Sequence, residues 1–330
     1  MKAYWYESAG AAADVLEYGD IDTPEPGRGE VRVKIAVSAI NPTDWKRRQI
    51  GRELAQFPRI IPNNDGSGTI DAIGPDVDPA RIGERVWIFG AQAMRPMGTA
   101  AEHCVLPSRQ ALYLPDAQSF EDGACLGVPV VTAHRGLFAD GDISGKSILI
   151  TGGAGRVGRY AVQMAKRAEA MVVATASSTE KLDHLRDLGA DHTLNYKTDD
   201  IIAAVRDITG GKGVDRILDV AFGANVGDAP KLVRDNGVIA SYSSDGMPKP
   251  EIPFQALMYK NVTIRPFAIF GMPREAQDLA FADIEKLLAE NVLDHLVGAR
   301  FTFDQMIEAH EAVETDEIFG VCIVGGSGPA

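Results

Sequence analysis

The sequence predicts an α/β chain of two domains, a doubly wound parallel sheet beside a mostly β module, and three observations carry the prediction. Residues 147–158 read as a buried strand, a glycine turn and the first turn of a helix, so Gly153, Gly155 and Gly158 sit between an apolar run and a helical one. From about 124 to 266 the rhythm is strand, helix, strand, whereas residues 1 to about 123 carry short strands cut by turn residues. A chain of 330 residues is also long for one compact core.

In the first module Val31, Val33, Ile35 and Val37 give the cleanest alternation, and Pro24-Glu25-Pro26-Gly27, Pro62-Asn63-Asn64-Asp65-Gly66 and Gly74-Pro75 break the pattern into turns. The α/β segment then offers strands at Ile148 to Ile150, Met171 to Thr175, Thr193 to Tyr196, Ile217 to Val220, Val238 to Tyr242 and Val262 to Phe267. Helices fill the intervals, among them Val157 to Lys166 and Lys181 to Leu188, which is the order of a doubly wound sheet. Beyond 267, a helix around Ala276 to Glu290 and the segments Ala299 to Phe303 and Gly320 to Val324 read as a return to the first module. The expected domains are therefore 1–123 with 267–330, and 124–266. The tail Gly325-Gly326-Ser327-Gly328-Pro329 reads as disordered.

The glycine turn has a mechanical reading. One glycine allows the tight bend, Gly155 lets the backbone approach a pyrophosphate, and Gly158 lets the helix pack close to its strand. The backbone N–H groups of Ala154, Arg156 and Val157 open the helix, where unpaired donors face the phosphates. An NAD-preferring turn places Asp or Glu about 20 residues further on, against the ribose 2′-OH. Here the second strand ends Ala174-Thr175-Ala176-Ser177-Ser178 without a carboxylate, so nothing repels a 2′-phosphate. Ser177 and Ser178 can donate hydrogen bonds and Lys181 can place a cation nearby, which favours NADP(H) over NAD(H). Tyr196, ending the third strand, is placed to contact the adenosine ribose or its phosphate, although a core tyrosine would look the same.

Composition excludes several classes. A net charge of −13 argues against nucleic acid or an anionic membrane as the main partner. Lys46-Arg47-Arg48 reads as a solvated helix face rather than a phosphate site. No apolar run approaches the ~18 residues that span a bilayer, and Met1-Lys2-Ala3-Tyr4-Trp5 lacks a secretory core, so a cytoplasmic location is expected. The three cysteines, Cys104, Cys125 and Cys322, have no paired spacing and fit a reducing compartment.

Five segments together carry a resemblance: Ser38-Ala39-Ile40-Asn41-Pro42-Thr43-Asp44-Trp45, Pro62 to Ile70, Val131-Thr132-Ala133-His134, Thr151 to Gly158, and Leu188 to Tyr196. With the order of the modules, they make the chain similar to the medium-chain dehydrogenase/reductase superfamily, and within it to the zinc-independent NADPH quinone oxidoreductases, the zeta-crystallin-like branch. The resemblance covers nearly the whole chain. It implies a GroES-like β-rich catalytic domain, a Rossmann domain and a homodimer in which the Asn261 to Pro266 strand edges pair across a two-fold axis.

Zinc-dependent members hold their catalytic metal with Cys, His and Cys. Asn41, Asn64 and Val128 stand at those places here, and two amides with an aliphatic side chain do not make a zinc site, so no metal is expected. The chemistry left is hydride transfer to an electron-poor quinone or enone, for which the protein supplies orientation and exclusion of water. The resemblance places Asn41 near the nicotinamide and the acceptor. Asp44 fits a buried ion pair that fixes the loop better than a base, and Thr43 falls where relatives use a hydroxyl as a proton relay. Ser241, Tyr242 and Ser243, and then Phe267 to Ile269, match segments that family members lay against the nicotinamide end, and Thr132 should lie beside them. The alternatives are an enone or enoyl-thioester C=C reductase and a non-catalytic NADPH-binding protein.

Overall fold

The computed structural model describes residues 1–325. Of the tail expected to be disordered, 326–330 lie outside the described residues, and Gly325 instead closes a strand. The described residues divide into two compact units, residues 1–128 with 281–325, and residues 129–280.

The first unit is built on strand β1 (Glu30–Ile40), followed directly by helix α1 (Pro42–Ile50), with strand β2 (Asp65–Ile73) pairing antiparallel to β1. Around this pair a seven-stranded sheet adds Arg85–Ile88 and then Ala111–Tyr113 beyond β2, while His103–Pro107 and Val321–Gly325 pair along the other edge of β1, with Val297–Phe301 beyond Val321–Gly325. Val321–Gly325 pairs antiparallel with β1, so Cys322 lies opposite Ile40. That pairing ties the end of the described chain to the first module. Val31, Val33, Ile70, Val86, Ile88 and Leu106 fill one core, which is why the alternation in β1 is so regular. A second core sets Tyr4, Tyr6, Ile40 and Ile60 against Met306, Ala309 and Val313 of the helix Met306–Glu314.

In the second unit, helix α2 (Gly127–Phe138) leads into strand β3 (Ser147–Ile150), helix α3 (Arg156–Arg167), strand β4 (Met171–Ala176), helix α4 (Thr179–Asp187), strand β5 (His192–Asn195), strand β6 (Val214–Asp219), strand β7 (Val233–Ser241) and strand β8 (Thr263–Pro266). The strand order is β5-β4-β3-β6-β7-β8, parallel throughout. Its switch point lies between β3 and β6, where the strand order reverses and a ligand crevice opens beyond the strands' carboxyl ends. Leu149, Val173, Ile217 and Ile239 of neighbouring strands pack on Val205, Leu232 and Leu257.

The units divide at 128/129 and 280/281, against expected changes at 123/124 and 266/267. The difference has a physical origin: Val128 is hydrogen-bonded to Asp65 and so travels with the first unit. Phe281 stacks edge-on against Trp87 and Phe89 there, from within the helix Arg274–Ala289.

Candidate active site

The second unit presents its candidate site at the carboxyl ends of β3, β4, β5, β6 and β7. The bend after β3 belongs to Gly152, with φ of 60°, where an L side chain is strained. Gly155 is exposed and N-caps α3. A Cβ on Gly158 would meet Gly152 O at 2.5 Å and Gly153 Cα at 2.6 Å, so only glycine lets α3 start this close to its strand. Ala154 is buried, while Arg156 and Val157 are half-buried in the first turn. Ser177 and Ser178 follow β4, and the Ser178 hydroxyl caps α4 by accepting from the Lys181 N–H at 3.4 Å. Tyr196 follows β5, is half exposed, and donates its N–H to Ala176 O at 3.1 Å. The structure therefore gathers Ser177, Ser178, Lys181 and Tyr196 at the ends of adjacent strands.

Beyond β7 and β8 an open cavity of ≈ 410 Å³ is lined by Phe222, Ser241, Tyr242, Ser243, Ser244, Pro266, Phe267 and Ala268. The Ser241 hydroxyl turns inward, donating to Asp219 O at 3.1 Å and Ser243 O at 3.2 Å. Burial, with the Asp219 carboxylate as a smaller cause, pushes the Tyr242 phenol up, so it stays protonated and can donate. Ile269 does not face this cavity. It opens a 3-10 turn and is buried at 4 % exposure, because the chain reverses after Ala268. Thr132 is buried in α2.

The first unit gathers Asn41, Asn64 and Val128 around two buried carboxyls. Asp44 Oδ2 accepts from the Asn41 N–H at 2.7 Å, and its Oδ1 accepts from the Asn64 N–H at 3.2 Å and Asn64 Nδ2 at 2.6 Å. Asp65 Oδ2 accepts from Asn41 Nδ2 at 2.7 Å and from the Val128 N–H at 2.8 Å. Burial pushes the Asp44 carboxyl up to about 6, partly offset by the donors from Asn41 and Asn64. Burial, and then the neighbouring Asp44 charge, hold Asp65 well above the usual carboxylate range. Thr43 sits half-buried in the first turn of α1.

Residues 27–116 match the family described as alcohol dehydrogenase GroES-like domain, and residues 157–286 match zinc-binding dehydrogenase. A quinone-oxidoreductase homolog, chloroplastic, of Spinacia oleracea is 33 % identical over 71 % of this chain and 74 % of its own length. The chain belongs to the medium-chain dehydrogenase/reductase superfamily, in its quinone oxidoreductase-like branch. A zinc-type alcohol dehydrogenase-like protein of Schizosaccharomyces pombe is 36 % identical over 62 % of this chain, and the match covers 62 % of that relative's length. A mycobacterial structure complexed with NADPH superposes with a TM-score of 0.85 at 25 % identity, covering 98 % of this chain and 100 % of that one.

Set among medium-chain dehydrogenases and reductases, the donor set of this chain is unusual for a zinc site. Asn41 and Asn64 are amides already tied to carboxyls, and Val128 contributes a backbone N–H. Zinc is held by thiolate, imidazole or carboxylate, so these three residues do not fit it. A dinucleotide does fit the second unit, where the glycine contacts around α3 leave no room for side chains.

Two expectations need correction and one gains detail. The tight bend falls on Gly152 rather than within the Gly153–Gly158 motif; the Gly152-Gly153 pair was the available signal. Asp44 fixes its loop through a capping box with Asn41 and bonds to Asn64, beside the Arg47 charge that the ion-pair expectation called for. Arg47 and Arg48 are not a solvated face. Arg47 pairs with buried Glu53, and fully buried Arg48 reaches Glu314, Gly10 O and His310 Nδ1, the last at 2.8 Å. Two buried carboxyls had no sequence signal. Asp65 lay in an apparent turn, and Asp219 proves to be a hub whose Oδ1 accepts from Thr151 Oγ1, the Ala221 N–H and Asn225 Nδ2.

Proposed function

We propose that the chain is an NADPH-dependent, zinc-independent reductase that passes hydride to quinones or related activated carbonyl compounds. The observation that carries this reading is the polar cluster of the first unit, where the Asn41 and Asn64 amides are hydrogen-bonded to the Asp65 and Asp44 carboxyls at the positions that hold zinc in metal-dependent relatives. The spinach relative's name and the NADPH in the mycobacterial structure support it.

The pyrophosphate would rest on the N-terminus of α3 at Gly153 to Gly158, the 2′-phosphate near Ser177, Ser178, Lys181 and Tyr196, and the nicotinamide end beside Tyr242, Ser243 and Phe267, with Thr132 nearby. Bound there, the cofactor supplies two electrons and a proton as hydride. Asn41 orients the acceptor with its side-chain amide, Asp44 keeps α1 and Asn41 in place, and Thr43 is the hydroxyl positioned to pass a proton to the reduced product. The working form is a cytoplasmic homodimer joined through β8, the open edge of its sheet.

The test is oxidation of NADPH by chelator-treated protein with quinone and enone panels, repeated with NADH. Turnover on quinones that survives chelation and prefers NADPH is expected. Dependence on restored zinc overturns the metal-free part, saturation of C=C alone moves the reading to an enone reductase, and tight NADPH binding without turnover moves it to a binding protein.

A further inference from the structure

The three positions that a metal would join are joined here by hydrogen bonds, and one residue makes the tie that matters for direction. Asp65 is 1 % exposed, at the start of β2. Its Oδ2 alone accepts both the Asn41 side-chain amide, 24 residues away, and the Val128 N–H, 63 residues away. Its own carbonyl is held by Thr99 Oγ1 at 2.6 Å, and Thr99 is in turn bonded to Ser38 Oγ at 2.7 Å. The fit is tight: a Cβ on Gly127 would stand 2.0 Å from Asp65 Oδ1. Glycine at 127 is thus the condition for a carboxyl here, and it ties the start of α2 to the end of β1.

An asparagine amide has two N–H donors. The Asn41 backbone N–H bond to Asp44 holds the main chain, and the Nδ2 bond to Asp65 then sets the carboxamide, so that its second N–H has one direction. We propose that Asp65 is a positioning residue: it aims the Asn41 amide at the acceptor oxygen on which negative charge gathers as hydride arrives. The inference rests on the reductase reading above. It assigns Asp65 no contact with substrate and no proton transfer, so the electron balance of the reaction is unchanged by it.

The experiment is a double-mutant cycle on the full chain with NADPH and a small benzoquinone, with kcat, KM, NADPH affinity by fluorescence and melting temperature recorded for each variant. Asp65→Ala should lower kcat by about a hundredfold, the size of a misaimed reacting group, with NADPH affinity unchanged. Asn41→Ala should lose about as much, and adding Asp65→Ala to it should cost no more, because one residue acts through the other. Asp65→Asn, whose carbonyl can stand where Oδ2 stands, should recover most of the loss. Multiplying effects in the double variant, or no recovery by Asp65→Asn, overturns the proposal. If the position-65 variants do not fold, Asn41→Gln decides. The longer side chain keeps an amide but cannot keep its aim, so activity as low as that of Asn41→Ala supports the proposal and wild-type activity overturns it. A wild-type chain that binds NADPH and reduces no quinone defeats the reductase reading itself, and the proposal with it.

Discussion

The glycine turn of the second unit and the carboxyl-tied amides of the first are built by opposite means. The turn is backbone geometry: Gly152, Gly155 and Gly158 lie within seven consecutive residues, and each acts by lacking a side chain. The amide cluster is side-chain geometry, drawn from β1, α1, β2 and the start of α2 and held by hydrogen bonds spanning up to 63 residues. A backbone site fails when atoms are added and a side-chain site fails when they are removed. Substitutions that grow or shrink single residues should therefore separate the two.

The largest effect is expected from growth at the turn. Gly158→Val sets carbon against Gly152 O and Gly153 Cα, which rigid backbone cannot yield, so NADPH binding measured by fluorescence should be lost. Retained binding would show that the turn tolerates bulk and would break the contrast. Next comes removal in the first unit. Arg48→Ala takes the guanidinium from His310 and leaves the Glu314 carboxylate to Gln49 Nε2, and should cost roughly 3–5 kcal/mol in denaturant unfolding.

His310 sharpens the comparison through pH. Burial, with the Arg48 charge second, holds its imidazole down at about 3 against a usual 6.5. The unfolded chain therefore binds the extra proton between those values, and stability present above pH 6.5 is lost as pH falls toward 3. Asp44 works in the other sense. Held up at about 6 against a usual 3.8, it takes its proton first in the folded state and favours folding as pH falls through that window. His310→Gln should accordingly flatten the acid side of the stability profile and uncover the opposite slope; an unchanged profile would mean that His310 is not the neutral buried group described.

Smaller effects are expected where the second unit does use side chains. Lys181→Ala should weaken NADPH by about tenfold, the worth of one charge-assisted hydrogen bond, and leave NADH unchanged. Equal losses for both cofactors would remove Lys181 from the 2′-phosphate. Ser178→Ala should cost about 1 kcal/mol of melting stability through the lost cap of α4.

These contrasts also explain what could be read in advance. Val31 to Val37 alternates because one face of β1 fills a core, and the central strands of the parallel sheet carry apolar runs because both their faces are covered. Such patterns are local, so fold class, the glycine turn and the carboxylate-free end of β4 were legible. Arg47 and Arg48 were misread because their partners, Glu53 for the first and His310 with Glu314 for the second, carry no local mark.

The sequence by itself determined the two architectures, the dinucleotide turn and the residue types at Asn41, Asn64 and Val128, since each depends on short-range periodicity or on identity at a motif position. Only the tertiary structure decided that Asp44 reaches Asn64, that Gly152 takes the bend, and that Asp65 and Asp219 are hubs. A buried carboxyl is defined by the donors that reach it, and those donors come from segments that meet only after the chain has folded.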